Sequence, residues 1–243
     1  MIPTAPQIGF DRFIQLDWVA AALKVRAGVA SLDELNELLD AAGLGVAARK
    51  KTRTVLNRLW LEPRAELEDF AIRGVEIYRN STDVSVAALT WGMAIATYPF
   101  FGKVAELVGR LSALQGDCAA AEVHRRMSEI YGEREGTYRM TNMVLQSQAN
   151  WGAIERVEKD KRLIRMPTIT VSNDQAVAWL MEATLRYTGK AIAVATLQST
   201  AVIYPFVLDQ PLGYLASNSP MLEIRLEGAA NQVLSLREKT QSK

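Results

Sequence analysis

Residues 145–166, LQSQANWGAIERVEKDKRLIRM, decide how this chain is read. Leu145 to Asn150 close a helical stretch, and Trp151-Gly152 stops it. Two short runs, 153–157 and 161–171, then flank a charged turn at Lys159-Asp160. Glycine permits the abrupt change of direction, and an indole just before it can cover the end of a helical core. The second run, KRLIRMPTITV, is rich in β-branched residues with partial alternation, the pattern of a strand. The spacing therefore predicts a helix, a sharp stop and a hairpin.

Working outward, KVAELVGRLSALQ (103–115) places Val104, Leu107, Val108, Leu111 and Leu114 on one amphipathic stripe. Asp117 is the expected N-cap of a helix from Cys118 to Tyr131, ended by Gly132, and a further helix is expected from Gly136 to Trp151. The order helix, helix, turn, helix, hairpin over about 103–171 resembles the winged helix-turn-helix family. The join Trp151-Gly152-Ala153-Ile154 carries that resemblance most directly. It implies that the third helix crosses the second and offers its outer face to a major groove, with the hairpin beside it on phosphates.

On that third helix Met140, Val144, Leu145 and Trp151 form the inward stripe, leaving Arg139, Asn142, Met143, Gln146 and Asn150 nearer the outside. Arg, Asn and Gln can hydrogen-bond base edges. The hairpin supplies Arg156, Lys159, Lys161, Arg162 and Arg165 against Glu155, Glu158 and Asp160. From 122 to 165 nine Lys/Arg face seven Asp/Glu, a thin excess for phosphate contact.

A denser basic run lies upstream. VAARKKTRTVLNRLW (46–60) holds Arg49, Lys50, Lys51, Arg53 and Arg58 with no acid between Ala41 and Leu61. A capping box, Ser31 with Glu34, opens the helix before it, and Gly43 and Gly45 supply the turn between the two. Contact with phosphates through Arg49, Lys50, Arg53 and Arg58 is one reading. The other is a solvated face, or one paired with the acidic stretch 62–69. With its helical layout, ARKKTRTVLNRL (48–59) loosely resembles the small A component of BREX-type phage-defence islands, a resemblance that implies a mostly helical, non-enzymatic DNA binder.

Further helices are expected at 65–78, 84–98, 175–187 (opened by Ser172 with Gln175) and 191–204, and a short strand at 221–226. The fold class is mainly α, multi-helical, with one hairpin in a winged helix-turn-helix module. Three regions follow: 1–101 with the basic helix pair, 102–171 as the winged module, and 172–243 as C-terminal helices and a polar tail.

Composition sets the outer bounds. Net charge is +1, with 49% apolar and 23% charged residues, so affinity for a polyanion must come from local patches. One cysteine excludes an internal disulfide framework and fits a reducing cytoplasm. The start, MIPTAPQIGFDRF, lacks the pattern of a secretory leader. Two uncharged stretches, 84–102 and 191–208, reach spanning length but are diluted by polar residues and end in Tyr-Pro-Phe. Buried helices stopped by proline are expected there rather than membrane spans.

The enzyme motifs are missing: no GxxxxGK[ST], GxGxxG after a strand, GxSxG or HExxH is present. His124 and Cys118 have no visible partner set; the histidine reads as solvated or wedged on its helix, the cysteine as a small core residue. No catalytic group, metal or cofactor is expected. The sequence thus points to a cytoplasmic, non-enzymatic DNA-binding or DNA-associated protein, docking on double-stranded DNA through the basic helix and the wing. The competing class is a scaffold subunit whose winged helix docks a protein partner or a second copy.

Overall fold

Five helices build the first hundred residues: α1 (Leu16–Arg26), α2 (Leu32–Ala41), α3 (Val46–Leu56), α4 (Glu68–Asn80) and α5 (Val86–Thr97). The structure, a computed structural model, describes residues 9–227 and 231–237. The leader reading rests partly on residues 1–8, and the polar tail beyond 237; both lie outside the described residues. Eleven α-helices and eight short strands are present among those described, so the class is mainly α without being wholly helical.

The expected capping box is in place: the Ser31 hydroxyl accepts from the Glu34 amide, and the Glu34 carboxylate accepts from the Ser31 amide. Helix α3 runs on through a wider π turn, Asn57–Leu61, which buries Leu59 and Trp60. Helix α5 has almost no polar face; ten of its twelve residues are buried, and Ser85 caps it at the Ala88 amide. Proline then does two jobs. Pro99 ends α5 and stands in the first turn of α6 (Pro99–Leu111), where its missing N–H costs nothing. The helix expected from 103 to 115 therefore starts and ends four residues earlier, and Leu114 is fully exposed rather than on the buried stripe. Among the described residues no helix is long and apolar enough to cross a membrane.

After α6 the chain forms β1 (Asp117–Ala119), α7 (Ala120–Tyr131), α8 (Glu135–Asn150), β2 (Ile154–Val157) and β3 (Arg162–Arg165). Asp117 is not an N-cap, because its residue pairs across a strand with Ile164 and its carboxylate meets Arg162. The three strands form an antiparallel sheet in the order β1-β3-β2. The hairpin ends at Arg165, before Pro167. Residues 169–171 leave it as β4 (Ile169–Val171) and pair in parallel with β6 (Phe206–Leu208).

The stretch 191–208 is not a helix. It divides into β5 (Ile192–Ala193), the single-turn α10 (Val194–Leu197), a 3₁₀ turn at Ala201–Ile203, and β6. Before it, α9 (Asp174–Thr188) is capped by Asn173, not by Ser172. After it come α11 (Leu212–Asn218), β7 (Leu222–Glu227) and β8 (Asn231–Leu236). The expected strand at 221–226 is β7; its antiparallel partner β8 falls where a polar tail was expected, so that the two make a second, unforeseen hairpin. The last sheet has the order β5-β8-β7.

This C-terminal part repeats a topology. Apart from the 3₁₀ turn and β6, inserted between α10 and α11, the order α9, β5, α10, α11, β7, β8 follows that of α6, β1, α7, α8, β2, β3, and in both sheets the first strand pairs with the last and the last with the middle one. The two Tyr-Pro-Phe triplets are unrelated to it: Pro99 opens a helix, whereas Pro205 precedes a strand.

One core joins everything, from Phe10 to Leu234. At its centre Trp91 sits edge-on to Phe101, Trp151, Tyr204 and Phe206, with ring centroids 5.2–6.3 Å apart. Helix α9 is tied to α4 by Glu182, fully buried, whose carboxylate accepts from Arg73 at 2.7 Å and from Arg186 at 2.7 Å.

Candidate nucleic-acid interface

Helix α8 has two unlike halves. Met140, Val144 and Leu145 are buried as expected. Its C-terminal end is covered by the N-terminal segment: the Ile14 amide donates to Ser147 Oγ at 2.9 Å, and the Leu16 amide to Asn150 Oδ1 at 2.7 Å. The Trp151 indole N–H donates to the Ile14 carbonyl at 2.9 Å, so this indole closes the core under the Gly152 turn, where φ is +79°. Asn150, expected on the outside, is therefore occupied.

The N-terminal half of α8 is open. Arg134, Glu135, Tyr138 and Arg139 are exposed, and Asn142, Met143 and Gln146 are half-buried. Tyr138 stacks on His124 of α7, with centroids 4.0 Å apart, and remains 61% exposed. It stands beside Arg139 on the outer face. Sequence reasoning passed over it, although its position three residues after Glu135 and four before Asn142 already put it on that face. Asn142 Oδ1 accepts from Arg156 of β2 at 2.6 Å, which fixes the hairpin against the helix.

That bond also spends a cation. Arg156 lies a further 3.2 Å from Asp160. Arg162 pairs with Asp117 and lies 3.7 Å from Glu158. Arg165 turns inward: its Nε donates to Ser112 Oγ at 2.7 Å, another guanidinium nitrogen caps the Gly109 carbonyl at the end of α6, and the head lies over the Tyr204 ring. Lys159 and Lys161, at the hairpin tip, are exposed and have no ion-pair partner among the described residues. The tip itself is tightly coiled, with Glu158, Lys159 and Asp160 all at positive φ between 52° and 68°.

The basic helix α3 is likewise partly committed. Arg49 reaches Asp40 of α2 at 2.8 Å, and Lys51 reaches Asp11 at 3.2 Å. Arg53 donates to Asn36 Oδ1 and Asn57 Oδ1 at 3.1 and 2.8 Å. Arg58 is half-buried, and Lys50 is exposed without an ion-pair partner among the described residues. The partners are thus α2 and the N-terminal segment, whereas the acidic stretch 62–69 is drawn on by Arg26, through Glu68. Exposed pairs such as Arg49–Asp40 contribute only about 0–1 kcal/mol, so these cations can exchange a carboxylate for a phosphate at small cost.

No protein-family model, curated protein or solved structure matches this chain. The remaining chemistry is therefore read from the residues alone. His124 is buried, and its pKa is lowered to about 4, by burial first and by the Arg156 charge second. It stays neutral at physiological pH. Cys118, half-buried on β1, is pushed up to about 11 by burial and is a thiol, not a thiolate. Among the described residues no group of three or more His, Cys, Asp or Glu is arranged to hold a metal ion. A cleft of about 500 Å³ opens between α4, α9 and α11, with Trp179, Tyr214, Glu76 and Asp174 in its walls; none of its lining belongs to α8 or to the β2–β3 hairpin.

Proposed function

We propose that residues 99–165 form a winged helix-turn-helix module, and that the protein is a non-enzymatic, DNA-associated accessory protein docking on duplex DNA through it. The observation that carries this reading is the open N-terminal half of α8, with Arg139 and Tyr138 outward and a hairpin fixed alongside by the Asn142–Arg156 bond. The β1-β3-β2 sheet beneath it supports the same reading, since it gives the hairpin a rigid base. In this arrangement α8 meets the groove and the free tip lysines, Lys159 and Lys161, meet flanking phosphates. Few cations are uncommitted, so the binding is weak and mostly electrostatic. Arg139 and Gln146 carry any reading of bases; Asn142 acts chiefly as a brace. Helix α3 adds phosphate contacts through Lys50, with Arg49, Lys51 and Arg53 released from their surface partners.

A second reading, a scaffold that uses the same face to dock a protein, is favoured by the many arginines already held by neighbouring carboxylates. A salt series with random-sequence duplex separates the two. Removing both tip lysines, Lys159→Ala with Lys161→Ala, is expected to make the slope of log affinity against log salt shallower by roughly 1.8, about 0.9 for each phosphate lost. Changing Arg49, Lys50 and Arg53 together to Ala is expected to flatten it as well. No binding to duplex or single strand at low salt sinks the DNA reading and leaves the docking one.

A further inference from the structure

The repeated topology leaves a second hairpin, β7–β8, with a character unlike the first. Its third-helix counterpart, α11, presents Tyr214, Ser217 and Asn218 outward and carries no charge. A face without cations lacks the charge that dominates affinity for a phosphate backbone. What the unit does offer is an edge. Strand β7 pairs only with β8 among the described residues, and at six residues it is longer than the edge strands β1 and β2 of the other antiparallel sheet. Natural edges are blunted by bulges, prolines or charged side chains, lysine above all. The stretch LEIRLE has no bulge, proline or lysine; its charges, Glu223, Arg225 and Glu227, alternate with apolar residues and leave Leu226 72% exposed.

The hydrogen-bond phase of this edge can be read. The Arg237 amide donates to the Met221 carbonyl, so the inward-bonding residues of β7 are Met221, Glu223, Arg225 and Glu227. The backbone groups of Leu222, Ile224 and Leu226 therefore point away from β8. The Arg237 guanidinium confirms that direction, since it donates to the Leu222 carbonyl from the open side at 3.0 Å.

A second, antiparallel copy of β7 must bond through the same three residues. Shifting the pair by two residues either way places Glu223 opposite Glu223, or Arg225 opposite Arg225. Centring it on Ile224 instead sets Glu223 opposite Arg225 twice, Ile224 opposite Ile224, and Leu226 opposite Leu222. Like charges directly across a sheet destabilise it and opposite ones support it. In that register the exposed Leu226 of one chain also comes to lie beside Leu222, the fully buried end of the partner's strand.

We infer that this edge is a self-association surface: two copies of the chain pair antiparallel through β7, in the register centred on Ile224, joining their C-terminal sheets into one of six strands. Arg237 swings off the Leu222 carbonyl to admit the partner's Leu226 amide. The strand contact alone is smaller than a standard interface, so the dimer is weak, with a dissociation constant of about 10–100 µM. The inference is independent of the nucleic-acid reading and is measured without DNA.

Sedimentation equilibrium of the full chain over a concentration series tests it. Wild type is expected to show a reversible monomer–dimer equilibrium. Arg225→Glu alone is expected to weaken it at least tenfold, and the double swap Glu223→Arg with Arg225→Glu to restore it, with circular dichroism confirming that each variant is folded. The register is tested by cysteine pairing in a Cys118→Ser background. Glu223→Cys and Arg225→Cys proteins are expected to cross-link when mixed and not when oxidised separately. A chain that stays monomeric throughout, a double swap no better than the single change, or Glu223→Cys linking to itself overturns the proposal.

Discussion

His124 shows how one buried residue turns a packing choice into a pH response. Its ring is stacked on Tyr138 and shielded from water, and the Arg156 charge further disfavours a proton. An unfolded histidine titrates near 6.5, but the folded one does so only at about 4. Between those values the unfolded chain takes up a proton that the fold refuses. Stability is therefore fully present above about 6.5 and lost as pH falls, at about 1.4 kcal/mol per pH unit, until the folded ring also titrates. Acidic residues titrate in the same window, so the comparison must be with a variant. His124→Phe keeps an aromatic stack and removes the proton site. Urea unfolding at several pH values is expected to show the wild type losing stability faster than His124→Phe between about pH 6.5 and 4. Parallel curves would mean that the ring is solvated enough to titrate normally.

At the scale of elements, α6 shows why some structure was legible and some was not. Its amphipathic stripe was plain in the sequence, as were the Ser31–Glu34 box, the apolar run that became α5, and the hairpin around Lys159. These signals are an amphipathic stripe, a local cap, a long apolar run and a glycine stop before a charged turn, and all of them survive without tertiary context. Strands β1 and β5 were missed because three and two residues cannot display a period. The run 191–208 was read as a helix because its Ala, Ile and Val are compatible with one. Tertiary contacts decide otherwise: the Trp91 indole donates to the Val202 carbonyl, and β6 is drawn into pairing with β4. The glycines of α6 make that approach physical. A Cβ on Gly109 would collide with the Ala201 carbonyl, and one on Gly102 would run into the Tyr187 ring. Gly136, in the first turn of α8, has open space around it. Gly109→Ala is thus expected to destabilise by about 1–3 kcal/mol through forced displacement of the 3₁₀ turn. Gly136→Ala is expected to be neutral or to stabilise by up to about 1 kcal/mol, through lost freedom of the unfolded chain. Thermal melts of the two variants beside wild type check the opposite signs.

For the molecule as a whole, the candidate interface was half visible for a related reason. Residue type and helical spacing put Arg139, Gln146 and the hairpin lysines toward the surface; Arg139, Lys159 and Lys161 are exposed there and Gln146 is half-buried. The same arguments could not see that Asp40, Asp11 and Asn36 reach across to α3, or that residues 10–16 cap the end of α8, because each contact joins separate elements whose relative placement no local pattern encodes. That N-terminal segment ties several parts of the chain together. Phe10 is fully buried and packs against Tyr98, Phe101 and Trp151, at centroid distances of 5.4, 5.2 and 6.3 Å, so it touches the end of α5, the start of α6 and the join between α8 and β2. Removing its ring leaves a cavity at the meeting point of the N-terminal helices and the three-stranded unit. Phe10→Ala is expected to cost about 3–5 kcal/mol. Because the core runs unbroken from Phe10 to Leu234, that loss is expected to move a single cooperative transition rather than to split it. Urea unfolding followed by tryptophan fluorescence and by far-ultraviolet circular dichroism distinguishes the cases. Coincident curves, both shifted to lower urea in the variant, agree with one core. A fluorescence transition that moves while the helical signal holds would mean that the C-terminal unit keeps its structure without the N-terminal segment.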